Sequence, residues 1–466
     1  MENKVAWKKY SGQDLQTLEQ LCGEYKTFLD EGKTERECVK EAVAMAEAAG
    51  YRELYAALKA GQPLAPGAKL YAVCMEKTLA LFHLGQQPLE QGMNILGAHI
   101  DSPRVDVKQN PLYENEGFAY LDTHYYGGIK KYQWVTQPMA IHGVIVRKDG
   151  AVQEVRIGED ESDPVFVFSD LLIHLAGQQQ EKKAAQVIPG ESLDLLVGNR
   201  PLEESALEKD EKSAVKANVL ALLREKYGAE EADFASAELE IVPAGKARDC
   251  GFDRSMILAY GQDDRICAFT SLWAMLQESE TPRRTACCLL VDKEEIGSVG
   301  ATGMSSLWFE NVVAELIALT TPAYSELTLR RALRACRMLS CDVSAGFDPL
   351  YASAFEKKNA ALMGHGVCYN KFTGSRGKSG SNDANAEFIG RLRKIMDDNN
   401  VTWQTAELGR VDVGGGGTIA YIMAKYGMEV IDSGVALLSM HAPYELSSKA
   451  DIYEAARGYR AFLKNA

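Results

Sequence analysis

Two adjacent glutamates, Glu294 and Glu295, follow the apolar run Thr285 to Val291 in the stretch Asp292-Lys293-Glu294-Glu295-Ile296-Gly297-Ser298. Charge delivered at the edge of a core needs a partner, because burying an unpaired carboxylate is expensive. Neighbours on an extended chain point to opposite sides, so the pair cannot do one job unless the chain bends between them. One can hold a metal while the other handles a proton. Four more places put a metal-ligand side chain after an apolar run or in a short acidic turn: His99, Asp263 in Gly261-Gln262-Asp263-Asp264-Arg265, Asp342 in Ser340-Cys341-Asp342-Val343, and His441 after Leu437-Leu438-Ser439-Met440. Two imidazoles and three carboxylates suit a pair of divalent ions with one carboxylate bridging them. Such a pair, about 3.5–4 Å apart, can lower the pKa of a bridging water and polarise a carbonyl. A carboxylate beside that water can take its proton. Taken singly, each residue has a duller reading, since a strand-terminal Asp often caps a turn and a His among apolar residues often only packs. Spacing alone does not establish that the five converge, nor whether Asp263 or Asp264 bridges.

The elements that would position these residues alternate between strand and helix. Ser11-x-x-Asp14 and Thr34-x-x-Glu37 are capping boxes ahead of helical apolar spacing, with Gly32 and Gly50 where helices stop. Asn94 to Ala98 reads as a buried strand that delivers His99 and Asp101. Open α/β sheets place chemistry at such strand ends. From Val107 to Lys246 the character turns β-rich, with strands over Met139 to Val146 and Val152 to Ile157 joined at Asp149-Gly150, followed by a polar stretch from Gln178 to Lys216. Alternation then resumes, with strands over 285–291, 337–343, 402–406 and 428–435 and helices over 304–319, 384–396 and 452–463, while Gly414 to Gly417 opens another helix. The expected fold is an α/β mixed-sheet sandwich with helices on both faces, over residues 1–106 and 247–466, interrupted by an inserted β-rich domain over 107–246.

With 466 residues the chain exceeds what one core usually serves. Hydrophobic residues at 46% and charged residues at 25% exclude a disordered or fibrous class. A formal net charge of -14 argues against a phosphate-tracking, nucleic-acid-binding surface. The ten cysteines form no Cys-x-x-Cys pair and sit mostly among apolar neighbours, which reads as buried thiols of a reducing compartment. The first residues carry no signal-peptide core, and no later stretch approaches the ~18 apolar residues of a membrane span. The expectation is a cytoplasmic protein with no membrane partner.

Gly97-Ala98-His99-Ile100-Asp101-Ser102-Pro103, Asp292 to Ser298, the Gly414 to Gly417 run and Ser439-Met440-His441, in that order, resemble the aspartyl aminopeptidase and aminopeptidase I family of dinuclear metallopeptidases. The resemblance, running from about residue 90 to the end, implies an aminopeptidase that takes N-terminal residues from peptides. It implies that Asp263 bridges two divalent ions, for which mixed imidazole and carboxylate ligation admits zinc foremost and manganese or cobalt otherwise. His99 and Asp342 would complete one site, and Glu295 and His441 the other. Glu294 would be the general base, and Asp101 would accept the remaining imidazole N–H of His99. His174, in Leu171-Leu172-Ile173-His174, resembles the histidine that the inserted domain lends to a neighbouring subunit's active site; a core histidine on an amphipathic helix is the other reading. The family implies a homo-oligomer of dimers assembling into a tetrahedral dodecamer. Tyr126 to Val135 departs from the aspartyl branch, so acidic substrates are not implied over neutral ones. The cationic loop Lys371 to Gly380, ahead of a helix capped near Ser381 or Asp383, either receives a substrate carboxylate or is solvated. The four glycines permit close approach of backbone to a ligand and form no phosphate loop. A dinuclear deacylase or carboxypeptidase, and a silent peptide-binding protein on the same fold, are the alternatives.

Overall fold

The computed structural model describes residues 4–61, 63–206, 212–321 and 323–466. It divides into two compact units, one of Met1–Asp101, Ala247–Met440 and Glu445–Ala466, the other of Ser102–Lys246 with His441–Tyr444.

In the first unit both capping boxes form. Ser11 and Asp14 exchange side-chain and backbone bonds at the start of Gly12–Glu31, and Thr34 and Glu37 do so for Glu35–Ala48. Leu18, Leu21, Cys22, Tyr25, Phe28 and Leu29 make the buried stripe of the first helix, at the spacing an amphipathic helix requires. A nine-stranded mixed sheet lies at the centre, in the order Arg52–Glu53, Lys69–Cys74, Thr78–His83, Thr285–Val291, Met93–His99, Arg337–Cys341, Glu429–Gly434, Val367–Asn370 and Trp403–Thr405. Its four middle strands, from Thr285–Val291 to Glu429–Gly434, are mutually parallel. Thr285–Val291 and Met93–His99 are buried along their whole length, as parallel strands covered on both faces must be. Two apolar clusters cover them. Leu96, Leu290, Leu339 and Ile431 join one, with the long N- and C-terminal helices, while Ile95, Leu289, Met338 and Val430 join the other. That alternation along each strand places helices on both faces of the sheet. A five-stranded sheet made of Arg248–Cys250, Met256–Ala259, Glu445–Ser448, Ala436–Leu438 and Ser344–Ala345 completes the unit.

Several boundaries differ from the pattern. The helix expected from 304 begins at Trp308, because the Ser305 and Ser306 amides donate to the Ser298 and Gly303 carbonyls. The helix expected from 384 is Ala386–Asp398, capped by Asn385 and by neither Ser381 nor Asp383; the Ala384 N–H is held outside it by the Lys371 carbonyl. After the four glycines the helix is only Ala420–Ala424.

The second unit carries a seven-stranded antiparallel sheet in the order Val152–Ile157, Met139–Val146, Ala237–Pro243, Arg104–Asn115, Phe118–Tyr126, Leu195–Gly198 and Val167–Phe168. The hairpin at Asp149-Gly150 has the expected strands, with Gly150 at φ 85°. The polar stretch from 178 contains the short helix Ala184–Val187 and the strand Leu195–Gly198, and its residues 207–211 lie outside the described ones. The ten cysteines are free thiols, nine buried and Cys250 partly exposed. Among the described residues no helix is long and apolar enough to cross a membrane.

Candidate metal centre

Four parallel strands end on one edge of the central sheet, and three of those ends carry the predicted ligands. Val291 pairs with His99, so the acidic turn begins where His99 ends its own strand. Gly97 pairs with Ser340, and two residues further along lie His99 and Asp342. The fourth group arrives from the start of the helix Gln262–Leu276, whose Asp263 and Asp264 have non-helical backbone. This converts distant sequence positions into two trios whose ligand atoms lie within 4.8 Å of one another: His99, Asp263 and Glu295, and His99, Asp264 and Asp342. His99 Nε2 faces Asp263 Oδ1 at 3.2 Å and Glu294 Oε2 at 4.0 Å.

The chain does bend at the two glutamates. Glu294–Ile296 is a single 3-10 turn entered through Lys293 at φ 69° and left through Gly297 at φ 93°. A lysine in the left-handed region is held there by its neighbours: its carbonyl accepts from Ser298 N at 2.6 Å, and its ammonium lies 3.1 Å from Asp292 Oδ2. Thr302 Oγ1 donates to the same Asp292 oxygen at 2.5 Å. The buried Asp292 thus anchors the turn from inside.

Asp101 is fully buried and stands between His99 and the two glutamates. The imidazole Nδ1 of His99 lies 2.9 Å from the Asp101 carbonyl and 3.4 Å from its carboxylate, so the backbone oxygen is the nearer partner. The carboxylate accepts from the Glu294 N–H at 3.1 Å through Oδ1 and from the Glu295 N–H at 3.2 Å through Oδ2. One side chain therefore fixes both glutamates at the backbone.

The electrostatics call for a cation. Burial and the crowding of Asp264, Glu294 and Asp263 raise the pKa of Asp342 well above the usual carboxylate range. Burial does the same to Asp264, eased by His99 and the Cys267 thiol. Neither Asp264 oxygen has a well-formed hydrogen bond among the described residues. Burial alone would depress the His99 imidazole, yet Asp101, Asp263 and Glu294 outweigh it and lift its pKa well above normal. Carboxylates so crowded ionise together only beside strong positive charge, which a bound metal ion would supply. The mixed nitrogen and oxygen donors fit zinc, manganese or cobalt.

Of the buried acids at this edge, Asp264 was weighed against Asp263 as the bridging carboxylate, and Glu445 was not singled out from the sequence. Asp264 stands with His99 and Asp342, while Asp263 stands with His99 and Glu295. Glu445 Oε2 accepts from the Asp263 N–H at 3.0 Å, and its carbonyl accepts from Gln262 Nε2 at 2.6 Å. The available signal was a glutamate heading a buried strand, which again is charge in search of a partner. His441 and His174 belong to the second unit. There His441 Nδ1 lies 2.8 Å from the Gly128 carbonyl. His174 sits in the 3-10 turn Ile173–Leu175, and Leu171, Leu172, Ile173 and Leu175 around it are exposed, so the reading as a core histidine on an amphipathic helix fails. In the cationic loop, Lys371 and Lys378 both pair with Asp383 at 3.1 Å, and Lys378 lies 4.0 Å from the centre of the Phe372 ring.

The family model of the aminopeptidase I zinc metalloproteases, M18, matches residues 28–463. The chain belongs to the M18 family. A probable M18 family aminopeptidase 1 of Clostridium acetobutylicum is 58% identical over 464 residues, spanning 100% of this chain and 98% of its own. The crystal structure of the M18 aminopeptidase of Thermotoga maritima superposes with a TM-score of 0.94 at 42% identity, covering 100% of both chains. The mApe1 dodecamer of S. cerevisiae shares the fold, at a TM-score of 0.75 and 19% identity over 95% of this chain and 96% of that one. This M18 member is accordingly a zinc aminopeptidase of mixed α/β fold, and the deacylase, carboxypeptidase and silent-binder readings are not favoured.

Proposed function

We propose that this M18 aminopeptidase cleaves the first peptide bond at a centre built for two divalent ions, with Glu294 as the general base. The observation that carries the proposal is the convergence of His99, Asp263, Asp264, Glu295 and Asp342 in two trios at one sheet edge, with Glu294 4.0 Å from His99. His99, Asp263, Glu295 and Asp342 would hold the ions, zinc by family and manganese or cobalt by donor type. The resemblance adds His441 to that set, and the shared burial of Asp264 supports a role for it beside Asp342. Bound ions would polarise the scissile carbonyl and acidify a water. Glu294 takes that water's proton and returns it to the leaving amine, while Asp101 keeps Glu294 and Glu295 at fixed backbone positions. The substrate is a peptide with a free N-terminus, acidic or neutral in its first residue. Ten free thiols support a cytoplasmic setting.

The test is metal analysis paired with Glu294→Gln. We expect two ions per chain in both proteins and a 10²–10⁴-fold loss of turnover in the variant, as removal of a general base gives. Near-normal turnover with full metal content would assign the proton to another group, and a single ion per chain would refute the dinuclear centre.

The M18 fold also supports a homo-oligomer, by analogy with the mApe1 dodecamer, in which His174 would serve the active site of another copy. Its exposed, apolar setting supports that role. Mixing the inactive variants Glu294→Gln and His174→Ala under subunit exchange should restore activity. A mixture as inactive as its components, once exchange is confirmed by mass, would return His174 to a structural role.

A further inference from the structure

The four glycines from Gly414 to Gly417 divide into two pairs. A Cβ on Gly414 would overlap the Leu408 carbonyl, and one on Gly415, which sits at φ 122°, would collide with the backbone of Gly374 and Ser375. These two are glycine because the protein's own packing requires it. Gly416 and Gly417 are different: an added Cβ would meet nothing within 4 Å, neither has a positive φ, and both are exposed. Nothing in the fold itself excludes side chains there. Among the described residues, no main-chain hydrogen bond uses either N–H.

Their position is fixed from the next residue onward. Thr418 is buried and donates to Asp432 Oδ1 at 2.5 Å. Asp432 is 2% exposed, and its other oxygen has no well-formed hydrogen bond among the described residues. It lies in the strand Glu429–Gly434 directly opposite Ser340, two residues before Asp342. Burial holds its pKa up at about 7, with a contribution from Glu294. Ile419 packs beside Gly97, 3.3 Å from where a Cβ would stand, two residues before His99. The open glycines therefore hang beside the metal edge from a pinned end.

We propose that Gly416 and Gly417 form the wall along which the peptide lies beyond its scissile bond, recognised through main chain and not through side chains. This rests on the aminopeptidase reading. An aminopeptidase keeps one residue before the scissile bond, and the remainder must leave through the open side, where exposed backbone is available. Two residues of extended chain span about 7 Å, enough to pair with the first residues of the leaving peptide. A side chain would hold a strand-like ligand away from this surface, which accounts for glycines that the fold does not need.

The test compares Gly416→Ala and Gly417→Ala with the parent on two substrates sharing an N-terminal residue, an aminoacyl-p-nitroanilide and a tetrapeptide. Both variants should be at least as heat-stable as the parent, since Gly→Ala at a compatible conformation restricts the unfolded chain. We expect the kcat/KM for the tetrapeptide to fall about tenfold, through KM, with the anilide changed less than twofold. Thr418→Val, which removes the hydroxyl that pins the run, should shift KM in the same direction by a smaller factor. Equal losses on both substrates, no loss on either, or destabilised alanine variants would overturn the proposal. Failure of the underlying reading would look different, because the parent itself would then release no amino acid from either substrate.

Discussion

Two charged regions of the first unit stand in contrast. At the sheet edge, Asp101, Asp264 and His99 are almost wholly buried, and Asp101 and Glu445 spend their oxygens on the backbone N–H groups of other site residues. In the loop from Lys371 to Asp383, Lys371, Lys378 and Asp383 are about half exposed and satisfied locally, two lysines on one aspartate. Burial costs several kcal/mol per uncompensated charge, so a fold retains such groups where an ion or a reaction compensates them. Exposed pairs carry no such implication. The difference separates a site from a solvated loop better than charge density does.

The contrast is sharpened by breaking the buried anchors. Asp101→Asn keeps the shape but offers one acceptor where two N–H groups converge, so either Glu294 or Glu295 loses its anchor. We expect kcat to fall about 100-fold, the upper end for residues that orient metal ligands. Glu445→Gln still offers an acceptor to the Asp263 N–H and should cost about tenfold, seen as weaker metal retention in a chelator titration. A ranking in which Glu445→Gln outweighs Asp101→Asn would mean that the Asp263 backbone, and not the glutamate turn, limits the centre.

Much of this was legible in the sequence, for physical reasons. After Thr285 and Asn94, the strands to Val291 and Ala98 are apolar because parallel strands are covered on both faces, and that same burial makes the charges at their ends conspicuous. The capping boxes at Ser11 and Thr34 are local chemistry and form as written. Less legible was whatever depends on contacts distant in sequence. The helix start at Trp308 follows from Ser298 taking the Ser305 amide, and the choice of Asn385 as cap follows from Lys371 holding Ala384. Glu445 could not be tied to Asp263 because 182 positions separate them. The bend between Glu294 and Glu295 depends on Lys293 and Gly297 adopting left-handed backbone, which only the surrounding turn enforces.

The smallest expected effect comes from the exposed loop. Removing Lys371 or Lys378 breaks an ion pair with Asp383 that is about half exposed at both ends, a contact worth roughly 0–1 kcal/mol. Each alanine variant should keep metal content and lose less than threefold in kcat/KM, because the remaining lysine still neutralises Asp383. The informative substrate is a tripeptide measured beside its C-terminal amide. If the loop received a substrate carboxylate, losing a lysine would depress hydrolysis of the free acid about tenfold and leave the amide unchanged. We expect the two to change together, since both ammonium groups are already paired with Asp383. A selective loss on the free acid would place the loop with the sheet edge as part of the site and remove the distinction drawn between them.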